Sequence, residues 1–344
     1  MLDHLVPPPG GLTFPEGAES AVLEAADGIR LRAVFLPSPG EAQKGTVFVL
    51  QGRSEFIEKF GEIFSELLAR GFAVAALDWR GQGGSDRQLA NSRKGHVEDF
   101  DDYLLDLDAL IAEAKRRGMP EPFGLLAHST GATIALLALA RGNAPFARAV
   151  LTSPLVGIAG LPTKTGTRIL ARLLASIGLS TAYVPMGGAR SEIEKPFEGN
   201  VLTSDPIRYA GAARWLAAEP ALAIGDPTIG WVDAAFNAFA AFEEQDFGQA
   251  NRTPLLILIA GEDAVVDSRA TATLASRMRG ASAITLRGAR HEILMERDPI
   301  RAQFWAAFDA FMQLGTHIDP GSDAPAPPHS PTDDPEPQSG QLQD

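Results

Sequence analysis

Cysteine is absent from the 344 residues, which excludes disulfides, thiolate catalysis and cysteine-ligated metals. Positive charge is scarce: 30 lysines and arginines stand against 43 aspartates and glutamates, and the net charge of -13 argues against the basic stripe that nucleic-acid binding needs. No apolar run approaches the ~20 residues of a membrane-spanning helix, and the start, "MLDHLVPPPGG", lacks the basic and apolar regions of a signal peptide. We therefore expect a cytoplasmic protein, with contact to the inner membrane surface left open.

Apolar strands and amphipathic helices alternate along most of the chain. Asp27 and Gly28 predict a hairpin turn between two short strands near the start. The continuous apolar run "GTVFVLQG" is typical of a strand that is covered on both faces, and "SEFIEKFGEIFSELLARG" has the spacing of a helix. This alternation predicts an α/β fold with a doubly wound, mostly parallel sheet.

The alternation stops near Gly157 and resumes at "PLLILIAGED". We therefore predict that residues 1–157 and 251–315 form one α/β core, and that residues 158–250 are an inserted helical cap. The remaining residues, 316–344, are rich in Pro, Asp and Ser and offer little to bury. That composition predicts a disordered acidic tail.

One serine lies at a predicted strand-to-helix turn. The stretch "AHSTG" places Ser129 between the strand "FGLLAH" and an apolar helix, with the small residues Ala127 and Gly131 two positions away on either side. A nucleophile elbow requires this context, because its tight turn leaves room only for small neighbours. The helix that starts at Thr130 also directs its N-terminal N–H groups toward the site where negative charge would develop. The pentapeptide alone is a weak signal, since small-Ser-small turns are common.

A base and an acid are found at two further predicted strand ends. His291 follows the last strand and Asp263 follows "PLLILIA", and the carboxyl ends of strands in a doubly wound sheet are where sites form. The resulting chain order, Ser129, Asp263, His291, is that of an α/β-hydrolase triad. Three matches at three strand ends make the prediction of a catalytic triad far stronger than any single match.

Other polar residues have simpler explanations. We expect His96 to anchor a loop or cap a helix, and His128 to point off the opposite side of the turn from the serine. Asp267 is explained as a helix N-cap. The loop "DWRGQGGSD" lacks phosphate-loop spacing and predicts a tight turn that packs Asp78 and Arg80 near the site. No grouping has zinc-ligand spacing, so we expect neither metal nor cofactor.

These stretches together resemble the α/β-hydrolases of the monoacylglycerol lipase and lysophospholipase group, and most of all its bacterial lysophospholipase L2 branch. The resemblance rests on "QGRSEFIEKF", "DWRGQGGSDR", "GHVEDFDDYLLDL", "LLAHSTGA", "GEDAVVD" and "RGARHEILMERD". It implies that Ser129 attacks an acyl ester, His291 transfers the proton and Asp263 orients the imidazole. It also implies an oxyanion hole formed by the backbone N–H groups of Arg53 and Thr130.

The segment "TGTRILARLLASIGL" in the predicted cap has a stripe of apolar residues with arginines beside it. One interpretation is a lid that enters lipid interfaces or lines an acyl tunnel. The simpler interpretation, which the sequence favours, is that the apolar face packs on the core domain. Four cap aromatics are equally compatible with lining an acyl pocket or holding the cap together: Trp215, Trp231, Phe236 and Phe239.

The sequence thus predicts a cofactor-independent serine hydrolase that cleaves esters of single-chain lipids, either lysophospholipids or monoacylglycerols, through an acyl-enzyme. Two alternatives stay open. One is a non-lipid carboxylesterase or another triad hydrolase of the same fold, since fold cannot separate these activities. The other is a non-catalytic ligand-binding relative, although such a protein has no need for Ser, Asp and His together. The oligomeric state, head group and acyl preference are left open.

Overall fold

The computed structural model of the chain describes residues 1–40, 44–142, 144–161 and 163–314. The predicted acidic tail, residues 316–344, lies outside the described residues, so its prediction is untested.

The central element is one sheet of eight strands in the order β1-β2-β4-β3-β5-β6-β7-β8. Strands β1, β2 and β4 pair antiparallel, and all other neighbours pair parallel. The strands are β1 (Glu19–Glu24), β2 (Arg30–Leu36), β3 (Thr46–Leu50), β4 (Ala73–Leu77), β5 (Phe123–His128), β6 (Phe146–Thr152), β7 (Leu255–Ala260) and β8 (Ala281–Leu286). Every residue of β3, β4, β5 and β7 is buried, which is why these strands are continuous apolar runs in the sequence.

Helices cover both faces of this sheet. The helices of the described residues are α1 (Gly61–Ala69), α2 (Asp101–Arg116), α3 (Thr130–Ala140), α4 (Lys164–Leu174), α5 (Pro206–Ala218), α6 (Ile229–Glu243), α7 (Ser268–Arg277) and α8 (Asp298–Phe311), of which α1, α2, α3, α7 and α8 pack on the sheet. Alternate residues of β3 face opposite sides, as the strand pleat requires. Phe48 and Leu50 pack in the core that α2, α3 and α7 cover, whereas Val47 and Val49 pack in the core beneath α1 and α8.

The predicted cap segment contains α4, α5 and α6, between β6 and β7. Helix α6 is largely buried and its aromatic residues join the main core, while α5 contributes Trp215 to a smaller cluster. Within the described ranges, no helix combines the length and the apolar content needed to cross a bilayer.

Helix α4 differs from the favoured expectation, which placed its apolar face on the core. Ala171 is its one buried residue, whereas Ile169, Leu170 and Leu173 are 62%, 51% and 55% exposed. Ile177, in the turn that follows the helix, is 64% exposed. The apolar stripe therefore faces solvent, because α4 contacts α6 along its other side.

Candidate active site

Ser129 lies in the tight turn between β5 and α3. Its backbone has φ 51° and ψ −117°, a combination that L-residues seldom adopt. The turn is possible because α3 approaches β3 closely at Gly131, where a Cβ atom would lie 2.4 Å from the carbonyl oxygens of Leu50 and Gln51. A small residue is required two positions after the serine because two backbones come into contact there.

Three side chains from three strand ends form a hydrogen-bonded row. The Oγ of Ser129 lies 2.9 Å from Nε2 of His291, and Nδ1 of the same imidazole lies 2.9 Å from Oδ2 of Asp263. The structure therefore brings together the three residues that the sequence selects. All three are buried or nearly so: the Asp263 carboxylate has no exposed surface and the His291 side chain is 6% exposed.

The carboxylate of Asp263 is fixed from its other side by the backbone. Its Oδ1 accepts hydrogen bonds from the N–H groups of Val265 and Val266 at 2.8 and 2.9 Å. Burial alone would raise the pKa of Asp263, but the hydrogen bond and charge interaction with His291, together with these N–H groups, hold the pKa below its ordinary value. The carboxylate is therefore ionised when it accepts the hydrogen bond from the His291 imidazole.

His128 does not point away from the site, contrary to the expectation from the sequence. Its ring centroid lies 4.9 Å from that of His291, and its Nδ1 lies 3.0 Å from Oγ1 of Thr152. Burial, followed by the nearby His291, lowers the pKa of His128 to about 3. The ring turns inward because β5 is covered on both faces, and it stays neutral beside the imidazole of the row.

Two backbone N–H groups border the cavity of about 230 Å³ into which Ser129 opens. Arg53 follows β3 and Thr130 is the first residue of α3, and both line this cavity with Ser129 and His291. Within the described ranges, neither N–H donates to another group. These are the two residues whose N–H groups the family resemblance implies as the oxyanion hole, and that assignment stays a prediction.

A buried charge cluster, which the sequence did not suggest, reaches the same cavity through its two carboxylates, Glu55 and Glu292. Nζ of Lys59 lies 2.8 Å from Oε1 of Glu55 and 2.6 Å from Oε1 of Glu292. Burial would lower the pKa of Lys59, but Glu292 and Glu55 outweigh burial and raise it. The spacing of Glu55 and Lys59 is a visible signal, whereas their contact with Glu292 joins distant parts of the chain. Glu55 also accepts the N–H of Gly52 at 2.5 Å, which fixes the loop before Arg53.

The remaining polar residues have structural roles. His96 lies 2.8 Å from Oγ1 of Thr228, the N-cap residue of α6, and so anchors a loop as expected. Asp267 caps α7 by accepting two backbone N–H groups. Asp78 and Arg80 each contact buried partners of opposite charge around the glycine-rich loop.

The cap aromatics divide between the two interpretations. Trp231 lines the cavity of Ser129, while Phe236 and Phe239 line a second cavity of about 520 Å³. Trp215 packs in a cluster with other cap residues and with Val6 and Phe56, so it holds the cap against the rest of the chain. Ile158 lines both cavities, so the two are adjacent.

A mostly parallel eight-stranded sheet with a Ser-His-Asp row at its strand ends defines an α/β-hydrolase. More narrowly, the chain belongs to the family described as serine aminopeptidase, S33, which matches it over residues 41–298. The prediction of an α/β-hydrolase fold is confirmed.

Relatives of known name support the resemblance. The chain is 33% identical to lysophospholipase L2 of Escherichia coli, over 85% of this chain and 87% of the relative. It is 28% identical to human monoglyceride lipase, over 49% of this chain and 54% of the relative. A solved monoglyceride lipase of Saccharomyces cerevisiae has the same fold, with a TM-score of 0.68 and 19% identity over 87% of this chain and 97% of the other. The predicted resemblance to the lysophospholipase and monoacylglycerol lipase group is thereby confirmed.

Proposed function

We propose that the chain is a serine hydrolase that cleaves the acyl ester of single-chain lipids, lysophospholipids or monoacylglycerols, with Ser129, His291 and Asp263 as the catalytic triad. The observation that carries this proposal is the hydrogen-bonded row from the Ser129 hydroxyl to the Asp263 carboxylate, with 2.9 Å at both links. A ligand-binding relative would not need such a row, so the row favours catalysis.

The chemistry follows from the order of the groups. Serine is a weak nucleophile, so Nε2 of His291 accepts the hydroxyl proton while Oγ of Ser129 attacks the ester carbon. Asp263 holds the imidazole in the tautomer that leaves Nε2 free and stabilises the imidazolium. The imidazolium then gives its proton to the departing alcohol. A water molecule, deprotonated by His291, attacks the acyl-enzyme and releases the fatty acid.

The negative charge on the carbonyl oxygen needs donors that are already in place. The N–H groups of Arg53 and Thr130 are the candidates, because both border the cavity and neither has another acceptor among the described residues. Removing one such donor typically costs roughly 3 kcal/mol of transition-state stabilisation. The neutral His128 beside the row also matters, since a second positive charge there would oppose protonation of His291.

The substrate class is inferred from the relatives and from the cavities. The family description names a peptidase, but the E. coli relative that matches most of this chain is named a lysophospholipase. The cavity of Ser129 is lined by Glu55 and Glu292, the two carboxylates that pair with Lys59, and these polar groups suit a glycerol head group. The adjacent larger cavity has charged residues such as Arg168 and Glu243 in its lining, but Phe236 and Phe239 give it an apolar side that can accept an acyl chain.

Residues 158–250 act in this proposal as the cap, and α4 as its contact with lipid. The exposed stripe of Ile169, Leu170 and Leu173 lies beside Arg168 and Lys164, which is the pattern of helices that lie in a membrane interface. Such contact would bring the cavity to its lipid substrates at the cytoplasmic face of the inner membrane.

Labelling and product release test the proposal together. A fluorophosphonate probe should label wild-type protein at Ser129 and leave Ser129→Ala unlabelled. Purified protein should release fatty acid from lysophospholipids or monoacylglycerols faster than acetate from short esters. Labelling with activity only on short esters would favour the carboxylesterase alternative, and folded protein without labelling would favour the ligand-binding alternative.

A further inference from the structure

The Arg53 guanidinium is buried in the wall of the Ser129 cavity without an anionic partner. Its Nε and Nη2 atoms are inaccessible to solvent and donate to no group in the part of the chain that the structure describes. Its Nη1 makes one long contact of 3.3 Å with Oγ of Ser54. A buried charge is costly unless it is paired, so an unpaired guanidinium beside a nucleophile indicates a missing partner.

Other buried cations in the described part of the chain have anionic or carbonyl partners; Arg301 also leaves Nε and Nη2 without acceptors, but its Nη1 is paired with Glu62. Arg32, Arg80 and Lys59 each contact two carboxylates at 2.6 to 2.8 Å. Arg87 resembles Arg53 in that burial lowers its pKa to about 10, but its guanidinium donates to four backbone carbonyls. Burial likewise lowers the pKa of Arg53 to about 10, so Arg53 is cationic at neutral pH with donors to spare.

The surroundings of Arg53 fit an anion. The guanidinium lies over the Trp231 ring, 5.2 Å from its centroid, a cation–π contact that fixes its plane without supplying an acceptor for its N–H donors. Tyr183 is close enough for the two ionisations to affect each other, and its hydroxyl is also inaccessible and without a partner. The carboxylate of Asp226 raises the pKa of Arg53 through its charge. Among the described residues, however, no ion pair within 4.0 Å joins Asp226 to Arg53.

We propose that Arg53, assisted by the Tyr183 hydroxyl, binds the phosphate diester of a lysophospholipid and so sets head-group specificity. This inference rests on the proposed function, because it places the phosphate relative to an ester held at Ser129. Arg53 supplies its backbone N–H to the oxyanion hole and its side chain to the same cavity. In a lysophospholipid only the glycerol carbons separate the ester from the phosphate, so one residue can contact both. Guanidinium and phosphate match in charge and in paired hydrogen-bond geometry.

The test compares two substrates that differ only in the phosphocholine group. Decanoyl lysophosphatidylcholine and monodecanoylglycerol are assayed with wild type, Arg53→Met, Arg53→Lys and Tyr183→Phe. Arg53→Met should lower kcat/KM for the lysophospholipid roughly 30-fold more than for the monoacylglycerol, since truncating one partner of a buried charge pair costs at least that much. Arg53→Lys should retain part of the preference, and Tyr183→Phe should shift the ratio in the same direction but less. Arg287→Met, at an exposed arginine after β8, is the charge-loss control and should keep the wild-type ratio.

Inhibition by glycerophosphocholine and by decanoate distinguishes the two anions that Arg53 could bind, the substrate phosphate and the product carboxylate. Competitive inhibition by glycerophosphocholine that Arg53→Met abolishes supports the phosphate, whereas decanoate inhibition that depends on Arg53 assigns the site to the product carboxylate and overturns the inference. An equal loss on both substrates in Arg53→Met also overturns it. If Arg53→Met does not fold, the other two variants decide. A wild-type ratio of kcat/KM for the two substrates in both Tyr183→Phe and Arg53→Lys would also overturn the inference. Wild-type protein that cleaves neither substrate would instead refute the proposed function.

Discussion

Helices α3 and α4 each contain 11 residues, yet they use their apolar side chains in opposite ways. Helix α3 is apolar on nearly all sides, and eight of its residues are buried between the sheet and its neighbours. Helix α4 has one apolar stripe, and that stripe faces solvent. A helix that is apolar all round must be buried, but an amphipathic helix can cover a protein core or a lipid surface equally well. The first helix positions the proposed nucleophile and the second remains free to meet the substrate.

The proposed chemistry lies on the α3 side, so its sharpest test is Ser129, the residue immediately before α3. Ser129→Ala should lower kcat/KM for a soluble short ester by roughly 10⁴- to 10⁶-fold, because the nucleophile is lost while the donors remain. Thermal unfolding should change little. Ser153→Ala, at a serine that also has positive φ at the end of a neighbouring strand, is the matched control and should retain activity. Comparable losses in both variants would place the nucleophile elsewhere.

The same substitution in each helix tests burial directly. Leu136 of α3 has no exposed surface, whereas Leu173 of α4 is 55% exposed. Leu136→Ala should lower the free energy of unfolding by about 2 to 5 kcal/mol, through lost burial and the cavity it leaves. Leu173→Ala should change it by less than about 0.5 kcal/mol. Equal losses in chemical denaturation would mean that the α4 stripe is covered in solution.

The contrast between α3 and α4 also separates what could be predicted from the sequence from what could not. The buried strands are visible as apolar runs, and Ser129, Asp263 and His291 could be selected because each follows such a run. These signals are local. Whether the apolar stripe of α4 is buried depends on elements far along the chain. The periodicity of the helix does not indicate where those elements lie. The inward turn of His128 and the burial of the unpaired Arg53 donors also depend on tertiary contacts.

Boundaries were also changed by long-range contacts. The helix predicted from Ser54 onward begins as a 3-10 turn, Ile57–Phe60, before α1 starts at Gly61. The Ile57 N–H donates to Oδ1 of Asp78 at 2.9 Å instead of entering a regular helix. Spacing in the sequence indicates the helix, but not the residue on a neighbouring strand that competes for its first N–H group.

A vesicle assay tests whether the α4 stripe is a lipid contact. Wild-type protein should co-sediment with vesicles that contain phosphatidylglycerol, and Leu170→Ser with Leu173→Ser should weaken that binding roughly tenfold or more, because two leucines no longer enter the interface. Hydrolysis of a soluble short ester should be retained in the double variant. Weak vesicle binding by the wild type, combined with a dimer in solution that the double variant loses, would assign the stripe to a second copy of the chain.

The last effect, which is confined to acidic pH, concerns His128, the last residue of β5 before the turn into α3. Its pKa is about 3 in the folded chain, below the ordinary 6.5, because burial disfavours the charged ring. The unfolded chain therefore binds a proton that the folded chain does not, and stability from the neutral ring is complete above pH 6.5 and is lost as pH falls toward about 3. His128→Asn should make the free energy of unfolding less dependent on pH in this window, by about 1.4 kcal/mol per pH unit. Denaturation curves of the variant and of His4→Asn, at an exposed histidine, measure the difference. A variant curve parallel to that of the wild type would mean that His128 already carries its proton in the fold, which is incompatible with a neutral ring against His291.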